Sequence, residues 1–371
     1  MTDDTTMRVT LRGDADRHAG LTDEILASVL EAAEADEFIL KSRVARFESE
    51  LAGTLGAAHA VACASTTGAV LLALSALGCG PADEVIVPAW APDALFSAVL
   101  RAGARPVLVD VSAEHGAPDA AALAAVAGPA TRAILLGPAG AAQVRTELFE
   151  AALRLGVPVV EIGRPEPDRP RTAGVTTAVP LGPDDLLGGI GDAAAIVTDD
   201  DAMARGCRMF RNHGQDLQVR FLHHHVGFNC RMDESVAAFL LRRLPEFTAR
   251  STAMRQLTDR YTDALDGRGT DLAVLGPEPC LSPRNGLTIR TTRRESVRAR
   301  LAAHGVESAV PPFHPGAGVA RGPQAPGTFP GAQRLAEQAL TLPLHPGLAS
   351  ADIDLVTSVV AQCHAGLRET R

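Results

Sequence analysis

Two neighbouring aspartates and one glutamate are the first candidates for catalytic chemistry in this 371-residue sequence. Asp184 and Asp185 lie in a stretch rich in Pro, Gly and Asp, and Glu161 ends a short apolar run. Adjacent carboxylates raise each other's pKa, which suits such a pair to general acid–base catalysis. The alternative is that Asp184 and Asp185 are solvated turn residues, the ordinary role of aspartate in a Pro/Gly loop.

Histidines supply a second set of candidate catalytic groups. His213 and His225 are the candidates, and His225 closes the run His223-His-His225. Three successive histidines also raise the hypothesis of a metal site. We expect no metal, because adjacent residues of a strand point to opposite faces and no carboxylate or cysteine spacing completes a ligand shell.

A hydroxyl-rich segment joins a predicted strand to a predicted helix. Ser65, Thr66 and Thr67 stand between the apolar runs His59–Cys63 and Ala69–Leu77. Free backbone N–H groups and the helix dipole at such an N-terminus make a natural anion site. The alternative is simple helix capping by the hydroxyl groups.

Six cysteines are dispersed along the chain without a C-x-x-C pair. This spacing indicates reduced core thiols in the cytosol rather than a disulfide framework or a zinc site. Cys63 and Cys230 are also candidate nucleophiles, although the usual place of such thiols is the core. The six are Cys63, Cys79, Cys207, Cys230, Cys280 and Cys363.

Composition excludes several functional classes. The formal charge of −9 argues against binding to a phosphate backbone, so we expect no nucleic-acid partner. Hydrophobic residues make up 46% and aromatic residues 4%, which favours a layered α/β core of Ala, Val and Leu. We find no signal peptide and no apolar run long enough to cross a bilayer, and therefore expect a cytoplasmic protein without membrane insertion.

Helical and strand patterns alternate over the first two thirds of the chain, which predicts an α/β fold with a mainly parallel sheet covered by helices. The composition of Gly163–Asp185 predicts an irregular loop, and Pro245 should break a helix. We expect a large domain over residues 1–245 and a small C-terminal α/β domain over residues 246–371. The predicted strands are His59–Cys63, Glu84–Val87, Pro106–Val109, Arg132–Leu136 and Pro158–Glu161, and the predicted helices include Ala69–Leu77, Ala94–Ala102 and Thr146–Leu155.

Seven motifs follow one another over nearly the whole chain in a recognisable order and spacing. They are Val44-Ala-Arg-Phe-Glu48, Asp83-Glu-Val-Ile-Val-Pro88, Gly103-Ala-Arg-Pro-Val-Leu-Val-Asp110, Val197-Thr-Asp-Asp200, Arg211-Asn-His-Gly214, Gly227-Phe-Asn-Cys-Arg-Met-Asp233 and Leu340-Thr-Leu-Pro-Leu-His345. Together they resemble the DegT/DnrJ/EryC1/StrS family of sugar aminotransferases. The resemblance implies a fold type I aminotransferase, pyridoxal phosphate (PLP) held on a lysine, and an obligate dimer with active sites lined by both chains.

The resemblance also implies ligand-binding residues. Asn229 and Arg231 match family residues that reach across the dimer to the neighbour's cofactor phosphate; the alternative is that they serve only the interface. Trp90, in the Val87-Pro-Ala-Trp-Ala-Pro92 segment, is a third candidate. Nucleotide-activated sugars or aminocyclitols are the implied substrate class.

The chain departs from this family where the cofactor would bind. Its one lysine is Lys41, which we expect to be solvated, although it lies in a segment near the family's active-site mouth. The resemblance places Asp185 at the lysine position and Ile162 at the carboxylate that pairs with the pyridine nitrogen. Pro92 replaces the aromatic residue that covers the ring, and Pro180 replaces a phosphate-binding serine. A carboxylate cannot form an imine, so we expect that PLP binding is lost and that no cofactor is used.

Three functional hypotheses follow. The first is a PLP-independent enzyme that reuses the pocket of a homodimer for cyclisation, dehydration, isomerisation or condensation in natural-product biosynthesis. Its small-molecule substrate would carry a phosphate or a carboxylate. The second is a non-catalytic subunit, a pseudoenzyme that complements an active paralogue in a heterodimer. The third is an unusual enzyme that binds PLP or pyridoxamine phosphate (PMP) without a Schiff-base lysine.

Overall fold

A computed structural model of the chain describes residues 7–11, 21–137, 142–163, 171–265, 271–275, 286–311, 313 and 329–364. In its first two thirds, helices alternate with the strands of one sheet, as the sequence predicts. The strands are β1 (His59–Cys63), β2 (Glu84–Pro88), β3 (Arg105–Val109), β4 (Thr131–Leu136), β5 (Val159–Ile162), β6 (Val175–Pro180) and β7 (Ala194–Thr198). The helices are α1 (Leu21–Glu34), α2 (Ser42–Thr54), α3 (Thr66–Ala76), α4 (Asp93–Arg101), α5 (Ala120–Val126), α6 (Ala142–Leu155) and α7 (Asp201–Phe210).

The large sheet has the strand order β1-β7-β6-β5-β4-β2-β3. Strands β2 to β6 pair in parallel, whereas β7 runs antiparallel to both of its neighbours, β1 and β6. The strands are rich in Val, Ile, Leu and Ala and are buried almost throughout, because helices cover a parallel sheet on both faces. The predicted α/β class is confirmed.

The prediction of an irregular loop over Gly163–Asp185 is wrong in part. Strand β6 lies within that segment and pairs with both β5 and β7. Its sequence Val-Thr-Thr-Ala-Val is rich in β-branched residues, which fit a buried pleated strand. The surrounding Pro, Gly and Asp residues masked this short pattern in the composition.

The last third of the chain forms a second, smaller sheet. A helix α8 (Glu234–Arg243) ends just before Pro245, a 3₁₀ turn covers Leu244–Glu246, and the helical path resumes in α9, so the predicted break is confirmed. The three strands pair antiparallel in the order β10-β9-β8. The division of the domains at residue 245 remains a prediction. The elements are α9 (Phe247–Leu265), β8 (Leu272–Val274), β9 (Gly286–Thr291), α10 (Arg294–Ala303), α11 (Pro330–Gln338), β10 (Ala339–Pro343) and α12 (Ser350–His364).

Within the described ranges, no helix combines the length and apolar character needed to cross a membrane.

A buried ion pair joins three segments near β1. Glu48 on α2 and Arg211, which follows α7, are 8% and 7% exposed. Arg211 Nη1 donates to Glu48 Oε1 and to the carbonyl oxygen of Ala62 in β1, each over 2.5 Å. The amide of Ala62 donates to Glu48 Oε1 over 2.9 Å. This pair therefore holds α2, β1 and the chain after α7 in one arrangement.

Replacing Glu48 with Ala should destabilise the protein strongly. The change leaves the Arg211 guanidinium buried without its carboxylate, and removal of one partner of a buried pair costs about 3–5 kcal/mol. Chemical denaturation followed by circular dichroism measures the free energy of unfolding. Glu50→Ala is the matched control, since Glu50 pairs with Arg46 on the exposed face of the same helix and such pairs contribute about 0–1 kcal/mol. Equal losses in the two variants would contradict a special role for the buried pair.

Candidate active site

The N-terminus of α3 forms one side of the candidate site. Ser65 is extended and its Oγ accepts the amide N–H of Gly68 over 3.1 Å, so the hydroxyl group caps the helix. Thr66 and Thr67 occupy the first turn and are partly exposed. The Ser65 hydroxyl is thus used to cap the helix. The positive end of the helix dipole nevertheless faces a partly open surface.

Residues 211–232, here called the strap, pass beside this helix end. The amide of Cys230 donates to the carbonyl of Arg211 over 3.0 Å, and the amide of Ala64 donates to the carbonyl of Cys230 over 3.3 Å. The ion pair of Arg211 with Glu48 therefore fixes the position of the strap against the end of β1. Sequence reasoning identified the α3 N-terminus and the strap separately, and the fold brings them together.

Asn229 and Arg231 point away from the core. Side chains of an extended segment alternate between two sides, and here Cys230 and Met232 are buried whereas Asn229 is exposed and Arg231 is partly exposed. Arg231 Nε donates to Asn229 Oδ1 over 3.0 Å, and Arg231 Nη1 donates to Asn212 Oδ1 over 3.4 Å. The guanidinium is thus held in position with its charge directed outward.

Asn212 is a functional candidate that sequence reasoning did not single out. It pairs with Asn229 in an isolated antiparallel bridge and accepts the hydrogen bond from Arg231. The signal was present in the sequence, because Asn212 belongs to the Arg211-Asn-His-Gly214 motif. Its role depends on a contact across the strap, which the motif alone does not reveal.

The histidines shape the strap. His213 adopts a positive φ of 60° and its carbonyl accepts from His223 Nδ1 over 3.0 Å. His224 Nε2 lies 2.9 Å from Asp216 Oδ2, and the ring of His225 stacks on Phe210 with centroids 4.8 Å apart. Among the described residues, no group of three or more His, Cys, Asp or Glu is arranged to hold a metal ion.

The candidate carboxylates occupy two different environments. Asp185 lies in a turn, where its Oδ2 accepts the amide N–H of Gly182 over 2.7 Å, and its neighbour Asp184 is partly exposed. Glu161, 7% exposed at the end of β5, lies 2.7 Å from Arg145 and accepts from Thr177 Oγ1 over 3.2 Å. These contacts give Asp185 and Glu161 structural roles, and the catalytic roles assigned from the sequence remain predictions.

Trp90 lines a small cavity at the carboxyl ends of β2, β4 and β5. The cavity also contacts Arg145 and Glu161, and the indole ring packs edge-on against Phe313 at 5.1 Å. The Trp90 side chain is 1% exposed, and its Nε1–H has no hydrogen-bond partner among the described residues. A buried donor without a partner is costly, so a small acceptor such as water fits this cavity.

Three residues that the resemblance assigns to the family's cofactor contacts lie in different parts of the large sheet and its helices. Ile162 is 5% exposed and belongs to the apolar core, Pro92 precedes the first turn of α4, and Pro180 ends β6. Lys41 has an exposed side chain, and its amide donates to Glu234 Oε1 over 2.6 Å.

Comparison with known proteins identifies relatives of this architecture. The sequence matches the profile of the DegT/DnrJ/EryC1/StrS aminotransferase family over residues 20–161 and 183–361. A UDP-N-acetyl-3-dehydro-alpha-D-glucosamine 3-aminotransferase of Acidithiobacillus ferrooxidans is 34% identical over 357 residues, which cover 92% of this chain and 94% of that protein.

Two solved structures share the fold. DesV of S. venezuelae, in complex with a ketimine intermediate, superposes with a TM-score of 0.83 at 29% identity, over 94% of this chain and 96% of the other. NtdA of Bacillus subtilis, with bound cofactor PMP, superposes with a TM-score of 0.79 at 24% identity, over 94% of this chain and 84% of the other. The family resemblance and the fold type I architecture are therefore confirmed.

The prediction that no cofactor is used is wrong. The matching family is one of aminotransferases, and DesV, at 29% identity, was solved with a ketimine intermediate, so PLP is the cofactor to expect. The prediction was drawn from Asp185 and Ile162, at positions that the resemblance assigns to cofactor contacts.

The residues of this chain nevertheless do not fit covalent attachment of PLP. Asp185, which the resemblance assigns to the lysine position, is a carboxylate engaged by the amide of Gly182. Ile162, which the resemblance assigns to the position of the ring-binding carboxylate, is packed in the apolar core. An amine is the group that covalent attachment requires, and the one lysine of the sequence, Lys41, lies in another segment.

An Asp185→Lys variant tests the alignment of this position. With added PLP and borohydride reduction, the variant should gain a stable pyridoxyl adduct at residue 185, because the new amine stands where the family carries its lysine. Peptide mapping by mass spectrometry locates the adduct. Asp184→Lys is the matched control and should label at least tenfold less. Equal labelling of the two variants would show that residue 185 does not occupy the lysine position.

Proposed function

Because this chain belongs to the DegT/DnrJ/EryC1/StrS aminotransferase family, we propose that it serves sugar transamination as the donating subunit of a dimer with a lysine-bearing family member. PLP is attached to the lysine of that second chain, and this chain contributes Asn229 and Arg231 to the site. The proposed substrate class is a nucleotide-activated sugar, the class named for the A. ferrooxidans relative.

The outward presentation of Arg231 carries this proposal. Its guanidinium is held by Asn229 and Asn212, on a strap fixed by the buried pair of Arg211 and Glu48. A planar guanidinium held in one orientation suits phosphate, which it binds through paired charge-assisted hydrogen bonds. The cofactor phosphate of a second chain and the phosphates of a nucleotide sugar both have this chemistry.

An exposed apolar surface continues from the same strap. Val226 is 95% exposed and Phe221 is 73% exposed, although large apolar side chains of this kind are stable when a partner covers them. Ile39 bridges to Asp233 just beyond the strap and is also exposed. We propose that a second chain of the same fold covers this surface and so brings Arg231 to its own site. The exposed apolar residues of the strap are Leu217, Val219, Phe221, Leu222 and Val226.

The pattern of retained and replaced residues supports a donating role over a self-sufficient enzyme. Asn229 and Arg231 are retained on the outward side, whereas Asp185 and Ile162 replace groups that a chain uses to hold its own PLP. A PLP-independent reaction is not proposed, because PLP is the cofactor expected of the family. The cytoplasm is the proposed compartment, since the dispersed cysteines without a C-x-x-C pair are typical of reduced core thiols.

Co-expression with a lysine-bearing family member from the same organism tests the proposal. Native mass spectrometry should detect a dimer containing one copy of each chain. Transamination of a nucleotide sugar by that dimer should fall at least tenfold when this chain carries Arg231→Ala, because a charge-assisted phosphate contact contributes about 1.5–3 kcal/mol.

Arg298→Ala is the matched control, since Arg298 lies on α10 and pairs with Glu295 at the surface. This control should leave both the dimer and its rate unchanged. Transamination by this chain alone with PLP, at the rate of the mixture, would refute the proposed division of roles. Failure to form the mixed dimer would refute it as well.

A further inference from the structure

Two cysteine thiols meet beside the N-terminal turn of α3. Cys63, the last residue of β1, is 0% exposed, and Cys230 on the strap is 7% exposed. The Cys63 thiol donates to the carbonyl oxygen of Ser65 over 3.6 Å. The amide of Ala64, the next residue after Cys63, donates to the carbonyl oxygen of Cys230 over 3.3 Å, and the two thiols are near enough for each to shift the pKa of the other. The Cys230 sulfur also sits close above Gly68, where an added Cβ would lie 2.3 Å from Sγ.

The surroundings favour a thiolate on Cys230. The hydrogen bond from Cys63 is the largest cause that lowers the pKa of Cys230 to about 7, and the amides of Ala64 and Ser65 and the charge of Arg211 act in the same direction. The same hydrogen bond, together with burial, raises the pKa of Cys63. Cys230, on the more open side of the pair, is therefore the candidate nucleophile, and Cys63, fully buried at the end of β1, is its neighbour.

Two other cysteines of the chain show the contrast. Burial raises the pKa of Cys79 and of Cys207 to about 12, so both stay protonated at neutral pH. The region around Cys230 is more open than its own burial indicates, because Ser65, Thr66 and Gly68 are partly exposed and Asn229 is exposed. A reagent as small as hydrogen peroxide can reach such a position.

We propose that Cys63 and Cys230 are a redox-active dithiol that hydrogen peroxide oxidises to a reversible disulfide. The Cys230 thiolate attacks the peroxide, so a sulfur–oxygen bond forms while the oxygen–oxygen bond breaks, giving a sulfenic acid and, after proton uptake, water. The Cys63 thiol then attacks that sulfur and displaces a second water, so the disulfide forms. The two thiols lose two electrons and the peroxide gains them.

This modification acts on the segment that presents the outward polar residues. Cys230 stands between Asn229 and Arg231, so a bond to Cys63 ties their backbone covalently to the end of β1. The strap then loses freedom to move away from the α3 N-terminus. Oxidation would therefore restrict where the Arg231 side chain can lie relative to the α3 N-terminus, whichever reaction the protein serves.

The test uses the full-length wild-type protein and hydrogen peroxide. After oxidation, free thiols are blocked with iodoacetamide and a non-reducing digest is mapped by mass spectrometry. The expected result is a peptide pair linked through Cys63 and Cys230, which disappears after treatment with a dithiol reductant. Without peroxide, iodoacetamide at pH 7 should label Cys230 at least ~100-fold faster than Cys207, because about half of Cys230 and almost none of Cys207 is thiolate there.

Cys79 and Cys207 serve as internal controls in the same digest. A Cys63→Ser variant should retain peroxide reactivity at Cys230, with the sulfenic acid trapped by dimedone, but should form no linked peptide. Labelling of Cys230 no faster than Cys207 in wild-type protein would overturn the proposal. Complete peroxide treatment that leaves Cys63 free while Cys230 becomes a sulfinic acid would overturn it as well.

Discussion

The buried pair of Glu48 and Arg211 is the interaction on which the candidate site depends. A guanidinium is costly to bury, and here it is stabilised by a carboxylate and by the carbonyl of Ala62. Once Arg211 is held, its carbonyl accepts the amide of Cys230, and Cys230 accepts the amide of Ala64. The position of the strap on the sheet thus follows from an ion pair that is itself buried.

Close approaches between backbone segments complete this arrangement. A Cβ at Gly227 would lie 2.1 Å from the amide nitrogen of Gly214, so the two limbs of the strap can touch only because both positions lack a side chain. Gly68 leaves room for the sulfur of Cys230 in the same way. The exposed residues of the strap therefore rest on a tightly packed inner side, which limits the directions in which they can point.

The fold of the family is shared by this chain, which superposes on DesV with a TM-score of 0.83. A fold does not by itself specify the chemistry of a site, which depends on the particular residues placed in it. Asp185, which the resemblance assigns to the lysine position, accepts the amide N–H of Gly182. The proposed dimer with a lysine-bearing chain is the arrangement in which this assignment is compatible with PLP as the expected cofactor.

The sequence predicted much of this architecture and part of the site, each for a local reason. Strand β1 matched its prediction, because a buried strand has a short apolar run as its sequence pattern. Asn229 and Arg231, predicted as ligand-binding residues from one contiguous motif, lie at the surface of the strap, and their binding role remains a prediction. Strand β6 was missed because its six residues lie in a Pro- and Gly-rich segment, and pairing with β5 and β7 decides its conformation. The prediction that no cofactor is used was wrong, because it was drawn from individual residues while the family as a whole indicates PLP.

The sequence by itself determined the family, the alternation of helices and strands over β1 to β5 and the absence of an amine at residue 185, because these depend on residue identity and on local pattern. Tertiary structure alone decided which distant side chains meet. The pairing of Glu48 with Arg211 and the contact of Cys63 with Cys230 join residues far apart in the chain, and such contacts leave no periodic trace in the sequence. Their geometry arises only when the sheet, its covering helices and the strap pack together.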